Sequence, residues 1–363
     1  MSLAELSPEY LAAIEAELHQ AVGSEQGHRG QYLARRGPAA PGDANPLPVG
    51  ALREYYAMLE YHLGWTNSPV GVGASSPTGK RVRPLLCLLC ASAAGGDWRQ
   101  ALPLGAALEL IHNFSLIHDD IQDNSPLRRG RATIWKLWGQ AQAINAGDAM
   151  FTLAHLAPQR RLALGVAPAL VLDALAELNF TCLELTQGQH LDMNFEQRAA
   201  VTAAEYLAMI EKKTAVLIAA STALGASLSP AASGRLDHFY AYGWNLGLAY
   251  QLRDDLLGIW GDPAVTGKSA ASDLEQRKKS LPVVFGLEHS AGFAARYAQP
   301  HQPVMVVAEM ADELERLGAR SYVEQRVQET TACAEQELER CQPSGPAALA
   351  LRELTQQLLG RKQ

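Results

Sequence analysis

Two stretches of the chain bring acidic and basic side chains together in the same order. In SLIHDDIQDNSPLRRGR (Ser115 to Arg131), Asp119, Asp120 and Asp123 are followed by Arg128, Arg129 and Arg131. In QLRDDLLGIWGDPAVTGK (Gln251 to Lys268), Asp254 and Asp255 are followed by Lys268, and further on by Lys278 and Lys279. At about 100° per residue, Asp119 and Asp123 stand only about 40° apart on a helix, one turn apart on one face. Two carboxylates aimed one way from a buried helix repel each other and take up protons unless something positive meets them. Mg2+ suits them, because it binds through one or two carboxylates plus phosphate oxygens. A solvated acidic helix end is the plain alternative, but the helix dipole disfavours carboxylates at a C-terminus. The arginines after the Pro turn point to a phosphorylated ligand, since a guanidinium fork grips phosphate oxygens in pairs.

Other cations sit where a buried helix begins or runs. TGKRVRPLL places Lys80, Arg81 and Arg83 just before an apolar helix, and IEKKTAVLI puts Lys212, Lys213 and Thr214 inside one. A lysine on an apolar helix must reach a helix end or an anionic pocket.

These groups need a scaffold, and the pattern predicts helices. Apolar residues recur at helical spacing almost without break from Lys80 onward, and no convincing alternating strand is present. The first helix is expected over residues 8–22, a second over 51–63, and a buried one from Leu102 to Asp123. A helix from about Leu236 is expected to end at Asp254 and Asp255. RGPAAPGDANPLPVG (Arg36 to Gly50) is a breaker-rich linker. The expected division is therefore residues 1–75, two N-terminal helices and a Pro/Gly-rich linker packed on the main body, and 76–363, the helical body carrying the site.

Bulk properties narrow the classes. The 363 residues are 48% hydrophobic and 19% charged, with a net charge of −7, a globular composition without the basic field that nucleic acid requires. Cys87 and Cys90 form a CxxC inside an apolar run with no second pair, so core packing is expected rather than a metal site. No secretory signal or membrane-length apolar run is evident, and five unframed cysteines fit a reducing cytoplasm.

Taken in order, GKRVRP, HDDIQD with RRGR after it, KKT, and QLRDD with GDPAVTGK after it resemble the trans-isoprenyl diphosphate synthase (polyprenyl synthetase) family. The likeness is strong over residues 79–282 and weak in the flanks. It implies an all-α, isoprenoid synthase-type helical bundle around a central cavity, a homodimer, and short-chain head-to-tail trans condensation of isopentenyl diphosphate with an allylic diphosphate. It further implies that Asp119, Asp123 and Asp254 hold Mg2+, with Asp120 and Asp255 in support. By the same likeness Arg128, Lys213, Thr214, Gln251 and Lys268 hold the allylic diphosphate, with Lys278 near that group. Lys80, Arg83, His112 and Arg129 would form the isopentenyl diphosphate pocket.

One position departs from many relatives: Gly258 stands where a third aspartate of the second segment is common, and Asp262 or Asp273 is expected to compensate. Phe114, about 7 Å back along the helix from Asp119, would floor the cavity, with Ser115 leaving room beside it. That predicts geranylgeranyl diphosphate as product, with farnesyl diphosphate the alternative. A terpene cyclase-like or regulatory protein of the same fold would not need the isopentenyl pocket. An HD-type metal phosphohydrolase, suggested by His118-Asp119, would want further histidines.

Overall fold

The computed structural model describes residues 1–23, 50–67, 79–263, 271–299 and 304–360. Among them every regular element is helical except one hairpin of two-residue strands. The chain divides into two compact units: Ser7–Leu88 with Arg99–Leu175, and Met1–Leu6, Leu89–Trp98 with Ala176–Gln363. The first carries the Asp119 segment and the second carries the Asp254 segment.

Helix α1 spans Leu3–Val22, five residues earlier than the breaker at Pro8 suggests. A reciprocal cap explains the early start: the Ser2 N–H donates to Glu5 Oε2 (2.7 Å), and the Glu5 N–H donates to Ser2 Oγ (3.3 Å). α2 (Arg53–Leu63) closes on Gly64 at φ 84°, a left-handed stop that glycine takes without penalty. α3 (Val82–Ala93) buries the thiols of Cys87 and Cys90 as free cysteines, and burial pushes Cys87 up to about 12. That agrees with core packing for the CxxC.

In the first unit, α4 (Leu102–Gln122) is the central element. Leu104, Leu108, Leu110, Ile111 and Ile117 are all buried on it. A hairpin follows, β1 (Leu127–Arg128) and β2 (Arg131–Ala132), then α5 (Ile134–Trp138) and α6 (Gln140–Leu156). α6 closes tightly on α4: a Cβ at Gly147 would lie 2.2 Å from His118 Nε2, so only glycine admits the ring there. α7 (Pro168–Gln197) runs from the first unit into the second.

In the second unit, α8 (Ala203–Ile210) starts at a capping box between Thr202 and Glu205. It passes through a π-helical turn, Glu211–Ala215, into α9 (Val216–Ala226). α10 (Leu236–Trp260) then carries the second aspartate segment. It does not end at the aspartates as expected but runs on to Trp260, because Leu256 and Ile259 continue its buried face. After α11 (Ser272–Glu275), α12 (Leu281–His289) and α13 (Ala291–Tyr297) come α14 (Val304–Leu317), α15 (Ala319–Arg340) and α16 (Ala347–Leu359). One core joins α7, α8, α10, α12 and α15 through Phe195, Tyr206, Leu252, Leu256, Val284 and Val323. The chain's first residues are tied to α16, where Glu353 Oε2 accepts the Leu3 N–H at 2.6 Å.

Candidate active site

Helical geometry persists to the end of the first acidic segment, since the Asp123 N–H donates to the Asp119 carbonyl at 2.8 Å. The two carboxylates therefore lie one turn apart, as their spacing requires. Asp120, between them, is only 2% exposed. The Arg128 fork meets it, with Nε 2.9 and 3.0 Å from its two oxygens and Nη2 2.9 Å from Oδ1. Burial lifts the Asp120 carboxyl above its ordinary range, and Arg128 opposes that lift.

The RRGR stretch is the hairpin that sequence periodicity missed. Arg128 pairs with Arg131 across a two-residue turn in which Arg129 and Gly130 have φ of 52° and 74°. Two left-handed residues are what a two-residue hairpin with the sheet's own twist requires. The turn sends Arg128 to Asp120, while Arg131 stacks 3.9 Å over the Tyr61 ring and donates to the Thr66 carbonyl at 2.8 Å. A cleft of about 520 Å³, counting its open mouth, is lined by Tyr61, His62, Asp120, Arg128, Arg129 and Arg131.

The second cationic group also assembles within this unit. The Arg129 guanidinium rests on Gly79, where an added Cβ would lie 2.9 Å from Nη2. Lys80 follows with an exposed side chain. His112 on α4 is held well below its ordinary value, first by burial and then by the charges of Arg83, Arg129 and Arg128. Arg83, His112 and Arg129 thus share one electrostatic neighbourhood beside Lys80.

In the second unit the partners are different. Asp255 is 3% exposed and accepts from the Tyr206 hydroxyl (2.6 Å), the Gln251 side-chain amide (3.0 Å) and the Leu281 N–H (3.2 Å). Burial pushes its carboxyl up to about 7 against those donors. Asp254, beside it, keeps part of its surface. Gln251 also accepts from the Thr214 hydroxyl at 3.0 Å, which links the π turn to the aspartates.

Two glycines bracket that π turn. A Cβ at Gly188 on α7 would stand 2.4 Å from the Lys213 backbone nitrogen, and one at Gly247 on α10 would stand 2.7 Å from the Ala215 Cα. One helical turn after each glycine comes a residue that holds the turn's side chains: Asp192 pairs with Lys213, and Gln251 bonds Thr214. Lys212 pairs with Glu184. Both lysines therefore find carboxylates on α7, and sequence reasoning passed over Asp192 and Tyr206 because neither sits in a charge cluster.

Gly258 is explained by its neighbour. The Asp273 carboxylate fills the space beside it, with Oδ2 2.2 Å from where a Gly258 Cβ would be. Asp273 is 9% exposed, whereas Asp262 is exposed. Lys278 is exposed, and Lys279 reaches the Glu196 carbonyl at 3.1 Å. Lys268 lies outside the described residues. On α4, Phe114 is buried, edge-on to Phe151 of α6 with ring centroids 5.2 Å apart. The Ser115 hydroxyl turns back onto the His112 carbonyl at 2.8 Å.

The acidic residues suit Mg2+ in kind. Asp119 and Asp123 offer hard oxygen donors one turn apart, and no preassembled group of three metal-ligating side chains occurs among the described residues. An ion that takes one or two carboxylates and completes its shell with substrate phosphates fits such a set.

Comparison with known proteins defines the class. The polyprenyl synthetase family pattern matches residues 71–313. A geranylgeranyl diphosphate synthase of Mycobacterium tuberculosis is 37% identical over 349 residues, 94% of this chain and 97% of that protein. A (2E,6E)-farnesyl diphosphate synthase of the same organism is 44% identical over 241 residues, a match spanning 66% of each chain. The crystal structure of a polyprenyl synthetase from Streptomyces coelicolor superposes with a TM-score of 0.78 at 32% identity, covering 96% of this chain and 99% of that one. The chain belongs to the polyprenyl synthetase family and has its all-α isoprenoid synthase fold.

Proposed function

We propose that the chain condenses isopentenyl diphosphate with an allylic diphosphate, head to tail and trans, to give a short-chain prenyl diphosphate. Geranylgeranyl diphosphate is the product we assign, with farnesyl diphosphate the alternative. The observation that carries this reading recurs in both acidic segments. One aspartate is buried and held by donors (Asp120, Asp255), while its neighbour in the chain (Asp119, Asp254) keeps part of its surface.

Asp119, Asp123 and Asp254 would hold Mg2+, which when bound neutralises diphosphate oxygens and so eases departure of that group. Arg128, Lys213, Thr214, Gln251 and Lys268 would grip the allylic diphosphate, with Lys278 near it. Their positive charge and donors stabilise the negative charge that grows as the allylic C–O bond breaks. Lys80, Arg83, His112 and Arg129 would hold the second substrate. Its double bond supplies the electron pair for the new C–C bond, and a proton leaves from its C2, with the released diphosphate as acceptor. Buried apolar residues keep water from the allylic cation.

Phe114 supports a short product, because its ring is buried and braced edge-on by Phe151, five residues back from Asp119 where an aromatic floor would stop chain growth. Homodimer formation is supported by large apolar side chains left exposed on two helices: Ile144 and Phe151 on α6, and Leu172, Phe180 and Leu183 on α7. No helix among the described residues is long and apolar enough to cross a membrane, and five free thiols support a cytoplasmic setting.

The decisive experiment incubates the protein with Mg2+, isopentenyl diphosphate and each allylic diphosphate in turn, and reads product length by chromatography. Twenty-carbon product is expected, and Phe114→Ala should lengthen it. No prenyl product with any primer would overturn the reading. Light scattering on the same preparation should give twice the chain mass.

A further inference from the structure

Arg81 lies in the GKRVRP motif between two residues assigned to the isopentenyl diphosphate pocket, yet it faces away from solvent, with only 3% of its surface exposed. Its backbone is left-handed at φ 47°, a conformation disfavoured for a residue with a Cβ. What holds it there is a network across three helices. Nε donates to Glu15 Oε1 of α1 (2.7 Å), Nη1 to Glu109 Oε1 of α4 (2.8 Å) and Nη2 to the Leu63 carbonyl at the end of α2 (3.1 Å). Each carboxylate is held in turn: Glu15 Oε2 accepts from Trp65 Nε1 at 2.9 Å, and Glu109 Oε1 accepts from Asn113 Nδ2 at 3.1 Å.

The consequence for the neighbours is geometric. Arg81 immediately precedes α3, and its carbonyl accepts the Leu85 N–H at 3.0 Å in that helix's first turn. Fixing its guanidinium fixes the peptide planes on both sides, so the stems of Lys80 and Arg83 leave the backbone in set directions. The same network reaches the third pocket residue through α4, because Asn113 follows His112 and bonds Glu109 by both side chain and main chain. A guanidinium fork suits this task because its donors are rigid and planar, which a lysine cannot reproduce.

We propose that Arg81, clamped by Glu15 and Glu109, is a positioning residue that sets Lys80 and Arg83 for the isopentenyl diphosphate, and that α1 thereby takes part in substrate selection. This rests on the assignment of Lys80 and Arg83 to that substrate. The N-terminal helix is then a structural member of the pocket.

Steady-state kinetics on Glu15→Gln, Arg81→Ala and Arg81→Lys test it, with isopentenyl and dimethylallyl diphosphate varied separately and hydrogen exchange followed over residues 79–82. Glu15→Gln and Arg81→Ala should raise the KM for isopentenyl diphosphate about tenfold, leave the allylic KM within about twofold, and speed exchange at 79–82. Arg81→Lys should restore only part of the loss. Equal rises in both KM values, or unchanged exchange with both KM values unchanged, would overturn the proposal. Should Arg81→Ala fail to fold, Glu15→Gln decides alone, because its side chain is already 28% exposed. Lys80→Ala and Arg83→Ala run alongside: if they leave the isopentenyl KM unchanged while exchange at 79–82 still rises in the other variants, the positioning stands and the pocket assignment falls.

Discussion

The two acidic segments begin alike, with an aspartate pair near the end of a buried helix, but they are held by opposite means. Asp120 is gripped by the charged fork of Arg128, whose side chain keeps 32% of its surface and rides on a short hairpin. Asp255 is gripped by neutral donors, Tyr206, Gln251 and the Leu281 N–H, all from packed helical segments. A charged partner at the edge can be shared with an arriving anion, since a guanidinium carries more donors than one carboxylate uses. The buried donors among them, the Tyr206 hydroxyl and the Leu281 N–H, are spent on Asp255, and Gln251 alone keeps part of its surface. The first segment is thus built for exchange of partners and the second for permanence.

The largest test falls on the second segment. Gly258→Asp adds a carboxylate to the second segment, yet it drives a side chain into the space Asp273 occupies and adds a buried like charge. A loss of about 3 kcal/mol is expected in urea denaturation, and Asp273→Gly in the same chain should recover most of it. Undiminished stability of the single variant would mean that the permanence is not real. Next comes a direct contrast between the segments. Arg128→Ala strands a buried carboxylate and should cost about 2 kcal/mol, allowing for the arginine's exposure, and should also raise the allylic KM. Tyr206→Phe removes one of three donors, should cost about 1 kcal/mol, and should leave that KM near wild type. If the tyrosine variant changes KM as much as the arginine variant, the contrast collapses.

The smallest effect reads the charge around the first segment. His62 is held down at about 3 by burial and by the charges of Arg128, Arg129, Arg131 and Arg81. Its imidazole stays neutral in the folded chain, whereas the unfolded chain takes up a proton near pH 6.5. This contribution to stability is therefore whole above that pH and is lost as pH falls from there towards 3. Between about pH 7.5 and 5.5, wild type should lose about 1 kcal/mol more than His62→Gln, measured by denaturant midpoints at each pH. Parallel losses would show that the guanidinium cluster does not govern this histidine.

Much of this arrangement was legible before any coordinates. The one-turn spacing of Asp119 and Asp123, the buried run from Leu102 and the order of acids and bases depend on neighbours in the chain, which periodicity reads well. What escaped depends on distant partners. The π turn at Glu211–Ala215 has no local signature; it coincides with two glycine approaches, from Gly188 and Gly247. Asp192 and Tyr206 looked like ordinary helical residues until packing set them against Lys213 and Asp255. Pro8 argued for a late start to α1, and the Ser2–Glu5 cap outweighed it. The hairpin at Arg128–Arg131 was too short for alternation to register, although an Arg-Gly pair taking positive φ was its one available hint.

The π turn has a bearing on how this chain could change over time. It fits one extra residue into a single turn, so the two helices it joins are rotated out of register by about 100°. Tyr206 upstream can therefore face α10 while the apolar face of α9 downstream also stays covered. A single-residue deletion within Glu211–Ala215 would fuse the pair into one regular helix and oblige it to give up one of those two contacts, which makes this stretch far less tolerant of length variation than any surface loop.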